Sequence, residues 1–144
     1  MKGHSKHEHY TKCYHWVMKT DAWKALSPTA QALYPWLKLE WKGDKKGRNN
    51  NGEIFLSVRQ AAAKMGVSKD TAARAFQDLQ AKGFILPTRL GELGVAGKAK
   101  CPLWELTELP RKNERRPSAL FVHWRLGNDY PVQKTMPSNI RTKK

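Results

Sequence analysis

Apolar positions along the chain form two helical stripes and three strand-like stretches. Ala72, Ala75, Phe76 and Leu79 recur at three- and four-residue spacing, which places them on one side of an α-helix. Ala30, Leu33, Leu37 and Trp41 repeat that pattern earlier, with Lys38 and Lys42 expected to point outward. Most of the tryptophans share such spacing, so they are expected in the core rather than as stacking platforms. Trp104 and Leu106 are separated by Glu105, the period of a strand with one buried face. Phe84, Ile85 and Leu86 open another strand, and Glu53 to Leu56 form a small one.

The residues between these stretches fix where the elements begin and end. Ser57 caps a helix, and Gln60 three residues on completes a capping box ahead of VRQAAAKM (residues 58–65). Gly66 stops that helix by adopting a left-handed backbone. Ser68 is a second N-cap, and Asp70 puts negative charge in the first turn, as the helix dipole favours. Gly83 ends the second helix. Upstream, residues 21–26 (DAWKAL) form a short helix, and Ser27-Pro28 starts the next one. Pro35 is expected to kink that helix or to overlap its first turns. Residues 42–52 (KGDKKGRNNNG) form a loop. Residues 84–90, 91–100 and 101–107 form a strand, a turn and a returning strand, with Pro87 and Pro102 at edges or bulges. Residues 14–18 (YHWVM) have the aromatic and β-branched content of an extended segment that buries Trp16. Two short capped helices about one glycine turn apart, followed by a strand, are an arrangement that reads DNA.

Charge narrows the partner. Twenty-seven Lys and Arg against twelve Asp and Glu give a net charge of +15 over 144 residues. Such a surplus predicts a polyanion, because neutralising phosphates releases condensed counterions. No apolar run approaches the roughly 20 residues that span a bilayer, and the N-terminus lacks a signal-peptide core. Two cysteines, Cys13 and Cys101, make no disulfide framework. The expected location is the cytoplasm, on the nucleoid when DNA is bound. The chain divides into an arm with an extended segment (1–20), one domain (21–107) and a basic tail (108–144). His4, His7, His9, Cys13 and His15 crowd the arm, but their irregular spacing and single cysteine do not suit a zinc site. The tail holds four of the eight prolines and two basic clusters, and is expected to be disordered or loosely docked. Its exception is residues 118–126, where Leu120, Phe121 and Trp124 suggest a short amphipathic helix docking on the domain.

Residues 67–85 (VSKDTAARAFQDLQAKGFI) resemble the recognition-helix signature of winged helix-turn-helix regulators, most closely the GntR-like pattern. Residues 22–107 resemble small bacterial helix-turn-helix proteins found on phages and plasmids. The landmarks are AWKALSPTAQALY, NNNGEIFLSVRQAAAKMGVSKDTAARAF and LWELTE. The implied fold is mainly α with a small β-wing, in the order α-α-β-α-α-β-β, with basic N- and C-terminal tails. The implied partner is double-stranded DNA, bound by a monomer or homodimer.

A recognition helix meets base edges with its N-terminal turns, while caps and amides hold phosphates. The outward positions are Lys69, Asp70, Thr71, Ala73 and Arg74, following the Ser68 cap. Lys69 or Arg74 can donate to guanine, Thr71 can touch a thymine methyl or a phosphate, and Asp70 can accept from cytosine. The resemblance adds Arg59 and supports Lys69 and Thr71. It departs at Ala73, where the family often carries arginine. On the wing, Arg89, Lys98 and Lys100 are placed to follow a phosphate backbone or minor groove. No nucleophile–base pair, phosphate loop or metalloprotease motif is present, so no enzymatic role, cofactor or metal is expected. Three roles remain open. They are a transcription regulator of bacterial or mobile-element genes, an accessory protein binding origin repeats in replication or partition, and an interaction protein binding RNA or a protein complex. For either DNA-binding role, titrating duplex DNA at increasing salt should give a log–log slope of about −0.9 per phosphate neutralised. Affinity that stays flat with salt would remove the electrostatic argument.

Overall fold

The computed structural model of the protein describes residues 9–45, 47–89, 92–93 and 99–133. Among these, the helices are α1 (His15–Met18), α2 (Asp21–Ala25), α3 (Pro28–Lys38), α4 (Val58–Met65) and α5 (Lys69–Ala81). The strands are β1 (Ile54–Phe55), between α3 and α4, then β2 (Ile85–Arg89), β3 (Glu92–Leu93), β4 (Ala99–Lys100) and β5 (Leu103–Leu106). A 3-10 turn at Leu120–His123 follows. The helices and the small antiparallel sheet are compatible with a winged helix.

Local chemistry sets most helix starts. Thr20 Oγ1 accepts the Trp23 amide at 3.1 Å, and Ser27 Oγ accepts the Ala30 amide at 3.1 Å, with Pro28 in the first turn of α3. Pro35 lies inside α3 near its end and faces solvent, so it removes only the bond to the Gln31 carbonyl, and the helix continues to Lys38. Residues 15–18 are helical rather than extended. One helical turn buries Val17, whose carbonyl accepts the Thr20 hydroxyl at 2.8 Å. It leaves Trp16 51% exposed instead of buried, although its ring stacks on Phe121 at 5.6 Å.

Sheet order is β1-β5-β2, all antiparallel, with Ile54 opposite Trp104 and Ile85 opposite Leu106. Central β5 turns Trp104 and Leu106 inward, as its alternation requires. Pro87 sits on edge strand β2 beside the register shift between Pro87 and Arg89. β3 pairs with β4, Glu92 opposite Lys100. Asn51, buried in the loop before β1, ties that loop to β5 and to the residues after it. Its Oδ1 accepts the Leu106 amide at 2.8 Å, and its Nδ2 donates to the Leu106 and Leu109 carbonyls at 3.0 and 3.1 Å.

Lys38 corrects the expectation of an outward side chain. It is only 7% exposed, and its ammonium lies 3.1–3.2 Å from both Glu108 carboxylate oxygens. It also donates to the Lys12 carbonyl. Residues 9–14 and Glu108 cover this side of α3, so helical spacing alone could not identify Lys38 as buried. Tyr34 donates its hydroxyl to the same carboxylate at 2.8 Å. Burial first, and the adjacent Glu108 charge second, push the Tyr34 phenol well above the usual tyrosine range, so it remains a proton donor. Trp41 lies past the end of α3 and donates its indole N–H to Asn49 Oδ1 at 3.0 Å.

The core continues past Thr107. Leu109, Phe121 and Trp124 are buried in the same cluster as the residues of α2–α5. Residues 118–126 dock on the domain, but as the short 3-10 turn rather than an α-helix. Phe121 stacks on Phe84 with centroids 4.6 Å apart. Gly83, at φ +86°, turns the chain out of α5, and a Cβ there would meet Tyr130 Cε2 at 2.6 Å. The Tyr130 amide donates to the Ala81 carbonyl at 2.9 Å, and Gln80 exchanges two hydrogen bonds with the Gln133 backbone. Residues 108–133 pack on the domain more extensively than the expected disorder or loose docking outside 118–126, because their few apolar side chains land on the open side of Phe84. The His4 and His7 positions and the 134–144 end of the tail lie outside the described residues. Phe121→Ala should cost about 3–5 kcal/mol of stability, measured by chemical denaturation, because it empties a fully buried aromatic site. A change below about 1 kcal/mol would place this segment outside the cooperative core.

Candidate nucleic-acid interface

The turn between α4 and α5 is built from both termini. Ser57 Oγ accepts the Gln60 amide at 3.0 Å while Gln60 Oε1 accepts the Ser57 amide at 3.0 Å, completing the capping box. α4 ends at Gly66, φ +74°, and the Gly66 and Val67 amides both donate to the Ala62 carbonyl at 2.8 and 3.0 Å. Ser68 Oγ then accepts the Thr71 amide at 3.1 Å and donates to the Thr71 hydroxyl at 3.0 Å. The buried faces of α4 and α5 carry Ala61, Ala62, Ala72 and Ala75, and such small side chains let the two backbones approach closely.

On this frame the first turns of α5 stand clear of the core. Ser68, Lys69, Asp70 and Arg74 are exposed, Thr71 and Ala73 are half-buried, and Arg59 is exposed in the first turn of α4. Ser68, Lys69, Asp70, Thr71 and Arg74 are thus brought onto one short surface. Arg89 is exposed at the end of β2, but its guanidinium donates to the Cys101 carbonyl at 2.8 Å and so also ties the hairpin together. Lys100 lies in β4 without a described side chain, and Lys98 lies outside the described residues.

Two features of this surface lie beyond the outward positions named from the sequence. Gln77, half-buried, follows Ala73 by four residues and Arg74 by three, so it extends the outward face by one turn. That spacing was available in the sequence. The second feature is an open groove of about 480 Å³ between the start of α3 and α5, lined by Ser27, Thr29, Thr71, Arg74 and Asp78 among others. Asp78 closes its floor: one carboxylate oxygen accepts the Ser27 amide at 2.7 Å and the other pairs with Lys82 at 2.8 Å. This carboxylate joins elements 51 residues apart, and no local signal announced it.

Residues 24–85 match the family model of a helix-turn-helix domain, a span that runs from within α2 to the first residue of β2. The match supports a helix-turn-helix DNA-binding protein. No curated protein and no solved structure matches the chain. No helix among the described residues is long and apolar enough to cross a membrane.

Gly66→Val should damage folding before it touches any contact, because a β-branched side chain is strained at φ +74° although space for its Cβ is open. Thermal denaturation should show a clear loss of Tm. A variant melting like the parent would mean that this turn is not constrained as described.

Proposed function

We propose that the protein is a sequence-specific, non-enzymatic binder of double-stranded DNA that inserts the N-terminal turns of α5 into the major groove. The observation that carries this reading is the pairing of two fully capped helices about a left-handed glycine, with Lys69, Asp70 and Arg74 exposed at the start of the second. A helix held this way offers side chains to base edges from a rigid base, and the Ser68 cap region offers donors to a phosphate. Arg59 and Arg89 extend the phosphate contacts, and the sequence adds Lys98 and Lys100 as further candidates. The net charge of +15 supplies the sequence-independent part of the affinity. The GntR-like pattern of residues 67–85 favours a regulator of bacterial or mobile-element genes over a replication accessory role.

Two variants separate reading from simple basicity. Lys69→Ala with Thr71→Ala removes charge from the face set against the bases. Arg115→Ala with Arg116→Ala removes charge from exposed residues remote from α5 in sequence. The helix variant should lose about 1–3 kcal/mol of discrimination between cognate and unrelated duplexes in competition binding. The second should weaken every duplex alike and reduce the salt slope. Identical behaviour of the two would reject α5 as the reader.

A further inference from the structure

An open groove of about 740 Å³ lies between the residues preceding α1 and the loop that follows α3, and no residue of α4, α5 or the strands lines it. Tyr10, Lys12 and Tyr14 form one wall, and Trp41, Lys42 and Arg48 contribute from the other side. Tyr10 is 74% exposed and Tyr14 is 43% exposed, although burial of such rings is strongly favourable. The Trp41 ring is held in place by its bond to Asn49, and it remains only partly covered.

The charges are arranged around these rings. The Lys12 ammonium lies 6.0 Å from the Tyr14 ring centroid. Lys38 also lines the groove, but its charge is committed to Glu108. Lys12, Lys42 and Arg48 make no ion pair among the described residues, and Glu40 is the single carboxylate in the lining. An acidic peptide would satisfy the cations and leave the rings unused. A duplex would do the same, because its bases are already stacked inside. A single strand uses both, since its phosphates need cations and its unstacked bases need flat apolar faces.

We propose that this groove binds a single strand of nucleic acid, with Tyr10 and Tyr14 stacking against bases and Lys12, Lys42 and Arg48 holding phosphates. The site shares no lining residue with the duplex-reading surface of α5, so it stands whether or not that reading holds.

The test is fluorescence anisotropy of the full chain with a labelled oligodeoxyuridylate and a labelled oligouridylate, which differ only in the sugar. Tyr10→Ala, which leaves net charge unchanged, should weaken binding about fivefold or more, the lower end of the range for losing one stacked base. Tyr10→Phe keeps the ring and should bind like the parent. Arg48→Ala should reduce the magnitude of the salt slope by about 0.7, the single-strand value for one phosphate. The variant changed at Lys69 and Thr71 should bind both strands unchanged. A preference for one oligonucleotide identifies the sugar the groove selects, and either preference supports the site. Failure of the parent to bind either strand, or parental affinity in Tyr10→Ala, would overturn the proposal.

Discussion

The structure depends on what surrounds Phe84. This residue is fully buried where the chain leaves α5 for the sheet, and three other rings meet it. Phe121 stacks at 4.6 Å, and Tyr34 and Trp23 approach edge-on at 5.2 and 5.8 Å. α2, α3, the end of α5 and the C-terminal segment therefore share one contact. Aromatic pairs of this geometry add about 0.5–1.5 kcal/mol each beyond the area they bury. Gly83, immediately before, must be a glycine for two reasons: its left-handed backbone and the Tyr130 ring pressed against it. The C-terminal end of α5 is fixed here, and its N-terminal end by the Ser68 cap and the alanine contact with α4. A helix held at both ends presents its exposed face as a rigid surface.

That rigidity links the fold to the proposed role. Discrimination between bases rests on hydrogen bonds whose geometry must be set before the duplex arrives. Asp78 contributes by holding the start of α3 against α5 through the Ser27 amide, which also shapes the groove beside Thr71 and Arg74. On the far side of α3, the Lys38–Glu108–Tyr34 group is a buried ionic cluster with each partner hydrogen-bonded, the condition under which burying charge is tolerated. It ties residues 9–14 to the chain after β5 and so shapes the aromatic groove as well.

Local signals were legible and distant ones were not. The bounds of α4, the left-handed Gly66, both serine caps and the inward stripe of α5 follow from neighbours within four residues, and sequence spacing records such neighbours directly. The exposed positions Lys69, Asp70 and Arg74 were legible for the same reason, whereas Gln77 and the Asp78 contact with Ser27 were passed over. Lys38 looked solvent-facing because its partner Glu108 lies 70 residues away. Asn51 looked like a loop residue because its four hydrogen bonds reach across 55–59 positions to β5 and the residues just past it. Residues 108–133 carry the composition of a tail, and what orders them is a handful of rings meeting Phe84 and Gly83. Trp16 reversed its expected burial because one helical turn, rather than an extended run, places Val17 inward.

In the proposed role, α5 reads sequence in duplex DNA. Selection of bound fragments from a random duplex pool at physiological salt tests it most directly. Successive rounds should converge on a short recurrent motif bound far more tightly than the starting pool. A pool that stays random while the protein still retains DNA would contradict it, because the affinity would then come from phosphate contacts alone.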